Sequence, residues 1–185
     1  IFNLDREPTS LERRKAKAVN FGIIYGISFY GLSEQLEIPI NESKEIIMNF
    51  NKAFPEINAF RESLIEAAVT NGYAITMFNR RRYLPEINSS QYQAREFARR
   101  AATNAPIQGS AADLIKIAMI KVDEALTKGN YKSKLISQIH DELILKVYDD
   151  EKDKVYNLVK DIMENCVQLK VKLKVDGGYA RDWFS

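Results

Sequence analysis

Over most of its length the chain repeats apolar residues at helical spacing, with a few short stretches at strand spacing. Thr9-Ser10-Leu11-Glu12 has the Thr-x-x-Glu form of a capping box and predicts a helix beginning there. Gly26 and Ser28 mark a break. Phe29 to Leu36 reads as a short helix ended by Ile38-Pro39. Asn41 is placed to cap a helix running to about Ala53, with Ile46, Ile47 and Phe50 as its buried stripe. Pro55 opens another, with Ile57, Phe60, Leu64 and Ala68 inward and Asn71-Gly72 as its stop. Tyr73 to Met77 reads as a strand, Phe78-Asn79-Arg80 as a turn and Arg82-Tyr83-Leu84 as the return. Gln91 to Thr103 predicts a helix broken before Pro106. A long helix follows from Ser110 to Lys128, burying Ala111, Leu114, Ile115, Ala118 and Val122 and ended by Gly129. Lys134 to Ile139 and Leu143 to Tyr148 form a hairpin around a His140-Asp141-Glu142 corner. Asp150 to Cys166 is the next helix, and Leu169 to Val175 alternates apolar residues with Lys in the manner of an edge strand. The expected class is α+β, mostly helical, with one small antiparallel sheet.

The 185 residues suffice for one domain or two small ones. With 45% hydrophobic and 28% charged residues, the composition is that of a soluble globular protein. It contains no apolar run long enough for a bilayer and no signal-peptide pattern. One cysteine, Cys166, excludes an intramolecular disulfide and suits a reducing compartment. One Cys and one His argue against a zinc site. Net charge is only +2, but residues 80–100 hold six Arg against two Glu, a local +4. Such a patch on a near-neutral protein is what a phosphate-backbone contact needs, although a solvated face is the default for any one Arg. The chain starts at Ile1 without a methionine, which reads as a piece of a longer polypeptide.

Two places carry candidate chemistry. At 100° per residue, Arg13, Lys17, Asn20, Phe21 and Ile24 share about a third of the first helix's circumference, with Tyr25 at the edge and Gly22 opposite. The order cation, cation, ring suits a ligand with a polyanionic tail and a flat head, such as a nucleoside triphosphate. Spacing alone leaves a solvated charged face as an equal reading. The second place is the hairpin corner. A carboxylate held there by two apolar strands can support Mg²⁺, and Asp141 is the expected direct ligand with Glu142 peripheral. Asp is also a common turn residue, and without more information that reading is favoured.

The run Arg-x3-Lys-x2-Asn-Phe-Gly-x2-Tyr-Gly, from Arg13 to Gly26, resembles the nucleotide-binding fingers helix of family A DNA polymerases, the bacterial polymerase I type. The resemblance implies that Arg13 and Lys17 hold the triphosphate, Phe21 packs near the incoming sugar and Tyr25 lies by the templating base. His140-Asp141-Glu142 resembles the second acidic motif of the family's palm. On that likeness Asp141 binds catalytic metal, Asp141 and Glu142 join Lys17 and Arg13 as catalytic residues, and His140 lies near the primer terminus. A hydrogen-bonded turn histidine stays open for His140. The string from Asn104 to Asp113, with Arg100 ahead of it, resembles the segment that touches primer–template DNA. Arg100, Asn104 and Gln108 are its expected contacts, and amides there can check pair shape through minor-groove acceptors. Asn104 can equally be a helix C-cap, and Asp113 reads better as a first-turn charge than as a metal ligand. Arg80, Arg81 and Arg82 match a family arginine cluster that contacts phosphate, or else form a charged turn. Gly178-x3-Asp182-Trp183 resembles the family's C-terminal motif.

The likeness runs from about Thr9 to Trp183 and implies polymerase fingers helices over residues 1–130, then a hairpin with part of an antiparallel palm sheet over 131–185. It implies template-directed DNA synthesis from dNTPs, two Mg²⁺ ions, primer–template DNA as partner, no membrane and a monomer. The expected location is the bacterial cytoplasm and nucleoid or an organellar matrix, without secretion. In the family the first metal-binding Asp precedes the fingers helix; Asp5, Glu7 and Glu12 stand in no such context, so the chain alone is expected to be inactive. Two alternatives remain. A single-subunit RNA polymerase usually has Ser after the metal-binding Asp and lacks the Asn-Phe-Gly run, so Glu142 and Asn20-Phe21-Gly22 favour DNA. A non-catalytic nucleic-acid-binding module would show no dependence on dNTP.

Overall fold

The computed structural model describes residues 6–182. Trp183 of the C-terminal motif and Asp5 lie outside the described residues. Six α-helices are present among them: α1 (Ser10–Ile24), α2 (Phe29–Leu36), α3 (Ile40–Ala53), α4 (Pro55–Asn71), α5 (Tyr92–Lys128) and α6 (Lys152–Asn165). Two separate antiparallel hairpins accompany them, β1 (Tyr73–Ile75) with β2 (Arg81–Tyr83), and β3 (Lys134–Ile139) with β4 (Glu142–Lys146). The α+β, mostly helical class is therefore present, with two small sheets in place of one. The chain divides into two compact units between Ile107 and Gln108, inside α5.

In the first unit, α1 starts on the expected capping box. Thr9 Oγ1 accepts from the Glu12 N–H at 3.3 Å, and the Glu12 carboxylate accepts from the Thr9 N–H at 2.7 Å. Val19 and Ile23 turn into a core with Leu32, Leu36 and Phe50 from α2 and α3. Leu32 and Val19 are fully buried, each contributing about 1.5–3 kcal/mol by leaving water. Ser43 is fully buried as well, and its hydroxyl donates to the Phe29 carbonyl at 2.7 Å, tying α3 to the start of α2. A second core gathers Ala68 of α4, Ala74 of β1, Leu84, Ile87 and the alanines 98, 101, 102 and 105 of α5. Gly72 ends α4 in the left-handed conformation expected of it.

In the second unit, Val122 and Leu126 of α5 pack on Val155 and Val159 of α6, with Leu143 and Leu145 of β4 against them. Ser133 is fully buried at the start of β3. Its hydroxyl donates to Glu151 Oε2 at 2.6 Å and accepts from the Tyr148 N–H at 3.1 Å. The same carboxylate accepts from the Lys132 and Ser133 backbone N–H groups. Glu151 thus pins both ends of the β3–β4 hairpin, and its pKa is lowered, first by the Ser133 hydroxyl.

Several expectations change. Pro106 does not break a helix: α5 runs through it as one element of 37 residues. Proline removes one i→i−4 hydrogen bond and crowds the preceding turn, and the small Ala101, Ala102, Thr103 and Ala105 around it leave room for the ring. Consequently Asn104 is no C-cap and Asp113 is no first-turn charge; both sit well inside α5. Ala111, expected buried, is exposed. Asn41 is not the cap of α3, which begins at Ile40 after Pro39 without a side-chain cap. Leu169 to Val175 is not a strand, because no partner strand lies alongside it among the described residues. That segment instead meets α6 at its end, where the Val175 N–H donates to Glu164 at 3.0 Å, and beyond it the Tyr179 hydroxyl donates to the Lys152 carbonyl at 2.6 Å.

Arg6 forks onto Glu12 with N···O distances of 2.7 and 2.9 Å, adding a second clamp to the capping box. This guanidinium, with the Thr9 amide and hydroxyl, lowers the Glu12 pKa from 4.5 to about 2. A carboxylate whose pKa falls on folding stabilises the fold above its unfolded pKa and loses that effect as pH drops through the folded one. The contribution of Glu12 is therefore full above about pH 4.5 and disappears towards pH 2. A carbon-detected NMR titration of the Glu12 carboxyl is expected to give a midpoint near 2, returning towards 4.5 in Arg6→Ala.

Candidate functional site

The helix α1 exposes the predicted stripe because its other side is committed to the core. Val19 and Ile23 are buried, whereas Arg13, Lys17 and Phe21 are exposed. The Arg13 guanidinium pairs with the Glu7 carboxylate at 3.3 Å, between two exposed side chains. A pair of that kind contributes little and is readily exchanged for another anion. Phe21 is 57% exposed, and its ring lies nearly parallel to that of Tyr25, centroids 6.3 Å apart and planes 16° apart. Two cations one turn apart therefore lead to a two-ring platform one turn further on. Such a surface can bind an anionic chain at one end and a flat group at the other. Ile24 departs from the stripe: it is half-buried at the edge of the α1–α3 core.

Tyr25 caps the C-terminus of α1, its N–H donating to the Phe21 carbonyl at 2.9 Å. Gly26 then turns the chain with φ +78°. A side chain at Gly26 would be strained by that φ, and its Cβ would stand 3.1 Å from Arg61 Nη2 and 3.5 Å from Arg100 Cγ. Gly22 is constrained differently, since a Cβ there would press on Ile27 at 3.0 Å. Both glycines of the run thus serve close approach at the end of the helix.

Arg100 is exposed on α5, and Asn104 lies one turn along. The Asn104 Oδ1 atom is buried without a hydrogen-bond partner among the described residues. Gln108 is exposed one turn further on the same helix. The arginine cluster lies on the first hairpin. Arg80 is in the turn closed by Thr76, whose N–H donates to the Arg80 carbonyl at 2.9 Å. Asn79 supplies the positive φ that this turn needs. Arg81 and Arg82 are on β2, with Arg81 over the Tyr73 ring at 4.7 Å and Arg82 exposed opposite Ala74.

In the second unit His140 and Asp141 form a two-residue connection between Ile139 and Glu142, which pair across the hairpin. His140 takes φ +52°, and its carbonyl accepts from the Gln138 side-chain amide. His140, Asp141 and Glu142 are all exposed. Glu142 is thus the first residue of β4 and not part of the corner. A bulge between Leu135 and Ser137 interrupts the ladder and leaves Ile136 exposed. Among the described residues no three of His, Cys, Asp and Glu come together as a metal cluster. The donor set at the hairpin tip is one carboxylate on the turn with a second on the adjoining strand, which does not by itself fit a pair of divalent ions.

Sequence reasoning did not single out Arg61. Its only signal was a charge interrupting the apolar stripe of α4, and its proximity to Gly26 depends on how α4 packs.

Comparison with known proteins bears on this surface as a whole. Residues 1–185 match the family model described as DNA polymerase family A. The chain is 46% identical over 185 residues to the DNA polymerase I of Bacillus caldotenax and 45% identical over 186 residues to that of Streptococcus pneumoniae serotype 4. Each comparison covers all of this chain and 21% of the relative's length, so the chain spans about a fifth of those proteins. In structure it is similar to the POL domain of Pol1 from M. smegmatis, solved in complex with a DNA primer-template and dNTP. The TM-score is 0.92 at 44% identity, over 96% of this chain and 31% of that one. Among the described residues no helix is long and apolar enough to cross a membrane. The fingers-type run on α1 and the His-Asp-Glu hairpin therefore occur within a match that spans the whole sequence, and the chain belongs to the family A DNA polymerases.

Proposed function

We propose that this chain is the fingers and C-terminal palm part of a template-directed DNA polymerase, with residues 1–130 acting as fingers and 131–185 as partial palm. The observation that carries this reading is the exposed face of α1, where Arg13, Lys17 and the Phe21–Tyr25 ring pair follow in line. In the reaction the primer 3′-oxygen attacks the α-phosphorus of a dNTP and pyrophosphate leaves. Arg13 forks onto terminal phosphate oxygens, and Lys17 neutralises charge that grows on the triphosphate as the bond breaks. Phe21 packs on the sugar, and Tyr25 sits beside the templating base. Arg80, Arg81, Arg82, Arg100, Asn104, Gln108 and His140 face primer–template DNA, the arginines towards phosphate and the amides towards the minor groove. Two Mg²⁺ ions, when bound in the complete site, supply activation of the attacking oxygen and charge stabilisation for the leaving one. Of this chain's residues Asp141 would be the direct ligand, with Glu142 beside it. The protein works as a monomer in a DNA-containing compartment, the bacterial cytoplasm or an organellar matrix.

In the full-length polymerase, Lys17→Ala is expected to lower kcat/KM for dNTP by about 100-fold, the usual scale for removing one group that stabilises developing charge. Primer–template affinity should stay within about twofold, since one phosphate contact to the triphosphate adds nothing to the DNA term. Steady-state kinetics beside a DNA gel shift read both quantities, and equal losses in the two would point to a plain phosphate-gripping module.

Phe21 brings no hydroxyl to the sugar pocket, whereas family members with Tyr at the matching position accept dideoxynucleotides readily. The wild-type enzyme should therefore discriminate against ddNTPs, and Phe21→Tyr should relax that preference. Competition between ddTTP and dTTP in primer extension measures the ratio; a wild-type ratio near one would contradict the role given to Phe21.

Because the chain brings a single carboxylate to the turn, the isolated 185 residues are expected to show no primer extension with Mg²⁺. Weak, salt-sensitive nucleic-acid binding through the arginines should persist. Template-dependent extension by the isolated chain, lost in Asp141→Asn, would mean that both metal ligands lie within it.

A further inference from the structure

We propose that the open face of the β1–β2 hairpin is a stacking platform for the unpaired template strand, with Tyr83 as the ring that takes a base. The inference rests on the polymerase reading above and adds two aromatic residues to the arginines of that hairpin.

Strand alternation divides the hairpin into two faces. Tyr73 pairs with Tyr83, Ala74 with Arg82 and Ile75 with Arg81. Residues two apart, and residues directly opposite, point the same way, so Tyr73, Ile75, Arg81 and Tyr83 share one face. Ala74 belongs to the alanine core and marks the other face as the inward one. On the outward face Tyr83 is 69% exposed, Ile75 and Arg81 are exposed and Tyr73 is half-buried. The two rings meet edge to face, with centroids 5.8 Å apart and planes 69° apart. The Arg81 guanidinium carbon lies 4.7 Å from the centre of the Tyr73 ring. Both contacts are of the kind that fixes a ring in place. Tyr83 nevertheless keeps most of its surface in water, beside an exposed Ile and a cation. Grouped exposure of this kind, unlike a single exposed ring, marks a binding surface.

Charge selects the occupant. Residues 67–85 contain Arg80, Arg81 and Arg82 and no acidic residue. Rings interleaved with arginines suit a polyanion that carries flat groups, which is a single strand of nucleic acid. An acidic peptide would satisfy the arginines and leave the rings in water. Duplex DNA offers only its phosphates here, because its bases already stack on one another. Among single strands in the reaction, the template ahead of the primer terminus is unpaired at every step, whereas a displaced strand exists only where DNA is already annealed downstream. The occupant is therefore the template. Position agrees with this. Arg61 of α4 comes within 3.1 Å of where a Gly26 Cβ would stand, next to Tyr25, the residue assigned to the templating base. From Arg61 the helix continues for ten residues to Asn71, about 15 Å, and Gly72 then leads into β1.

The test measures affinity of the full-length polymerase for primer–template DNA with an unpaired template overhang of about one nucleotide or about ten. The proteins are wild type, Tyr83→Ala, Tyr83→Phe and Tyr73→Ala. Tyr83→Ala should weaken binding of the long overhang about 10-fold, the scale of one lost base–aromatic stack, whatever the overhang sequence. It should leave the short overhang within about twofold. Tyr83→Phe keeps the ring and should match wild type, and Tyr73→Ala should lose several-fold on the long overhang alone. KM for dNTP on short-overhang DNA should be unchanged in all three. 2-Aminopurine in the long overhang gives a second readout: its fluorescence should fall more on binding wild type or Tyr83→Phe than on binding Tyr83→Ala. Wild-type affinity of Tyr83→Ala for the long overhang would show the ring to be idle and overturn the platform. Equal losses on short and long overhangs would assign Tyr83 to the duplex or to the fold and overturn it too. A loss seen only when a downstream strand is annealed would assign the face to the displaced strand, with the same result. Absence of dNTP-dependent synthesis by the wild-type enzyme would overturn the polymerase reading itself, which none of the other outcomes touches. Should Tyr83→Ala fail to fold, Tyr83→Leu set against Tyr83→Phe makes the same comparison of ring with no ring.

Discussion

Burial of the alanine face of α5 is the constraint on which the first unit depends. Ala98, Ala101, Ala102 and Ala105 recur at i, i+3, i+4 and i+7 and make one face of the helix nearly flat. This face shares one buried core with Ala68 of α4, Ala74 of β1, Leu84 and Ile87, and Ala68 and Ala74 are equally small. The same run of small residues surrounds Pro106, which would be disruptive among bulky neighbours. Larger side chains on this face would push α4 outwards, and with it Arg61, whose guanidinium fills the space a side chain at Gly26 would take. Packing in the alanine core and placement of charge at the end of α1 are in that sense one problem.

The helix α1 solves a related problem with few means. Only Val19 and Ile23 are fully buried in it, and the face carrying Arg13, Lys17 and Phe21 is exposed. What a small anchor lacks in burial is supplied at the two ends. Thr9, Glu12 and Arg6 satisfy the first turn, and Gly26 with the Tyr25 amide closes the last. A helix held at its ends can leave a large ring such as Phe21 in solvent, where the ring is useful only when something flat covers it.

Much of this was legible in the residues. The capping box, the Gly72 stop, the turn at Asn79 and the stripe from Arg13 to Phe21 each follow from local chemistry, and local chemistry is what a sequence displays. The hairpin that carries Asp141 was also evident, because alternating apolar residues around a polar pair have few other uses. What could not be read depends on neighbours distant in sequence. Pro106 looks like a terminator until the alanines around it are seen to make room. Leu169 to Val175 has the composition of an edge strand, but composition cannot provide a partner, and the segment attaches to α6 by single contacts instead. Asn41 is a good cap by type, yet Pro39 takes the cap position and the chain enters α3 two residues earlier. Arg61 was hidden most thoroughly, since its place beside Gly26 depends on how α4 packs.

The lone cysteine has a practical consequence. Cys166 is buried at the end of α6, its thiol donating to the Met163 carbonyl at 3.4 Å while its own carbonyl accepts from Lys121. A thiol so enclosed is shielded from maleimide reagents in the native state. This sequence therefore has an almost silent background for conjugation chemistry. A cysteine introduced at one exposed position, such as Met48 or Ile120, would accept a single fluorophore or spin label. The same burial makes the native thiol a reporter of unfolding, because its modification rate follows how often the end of α6 opens.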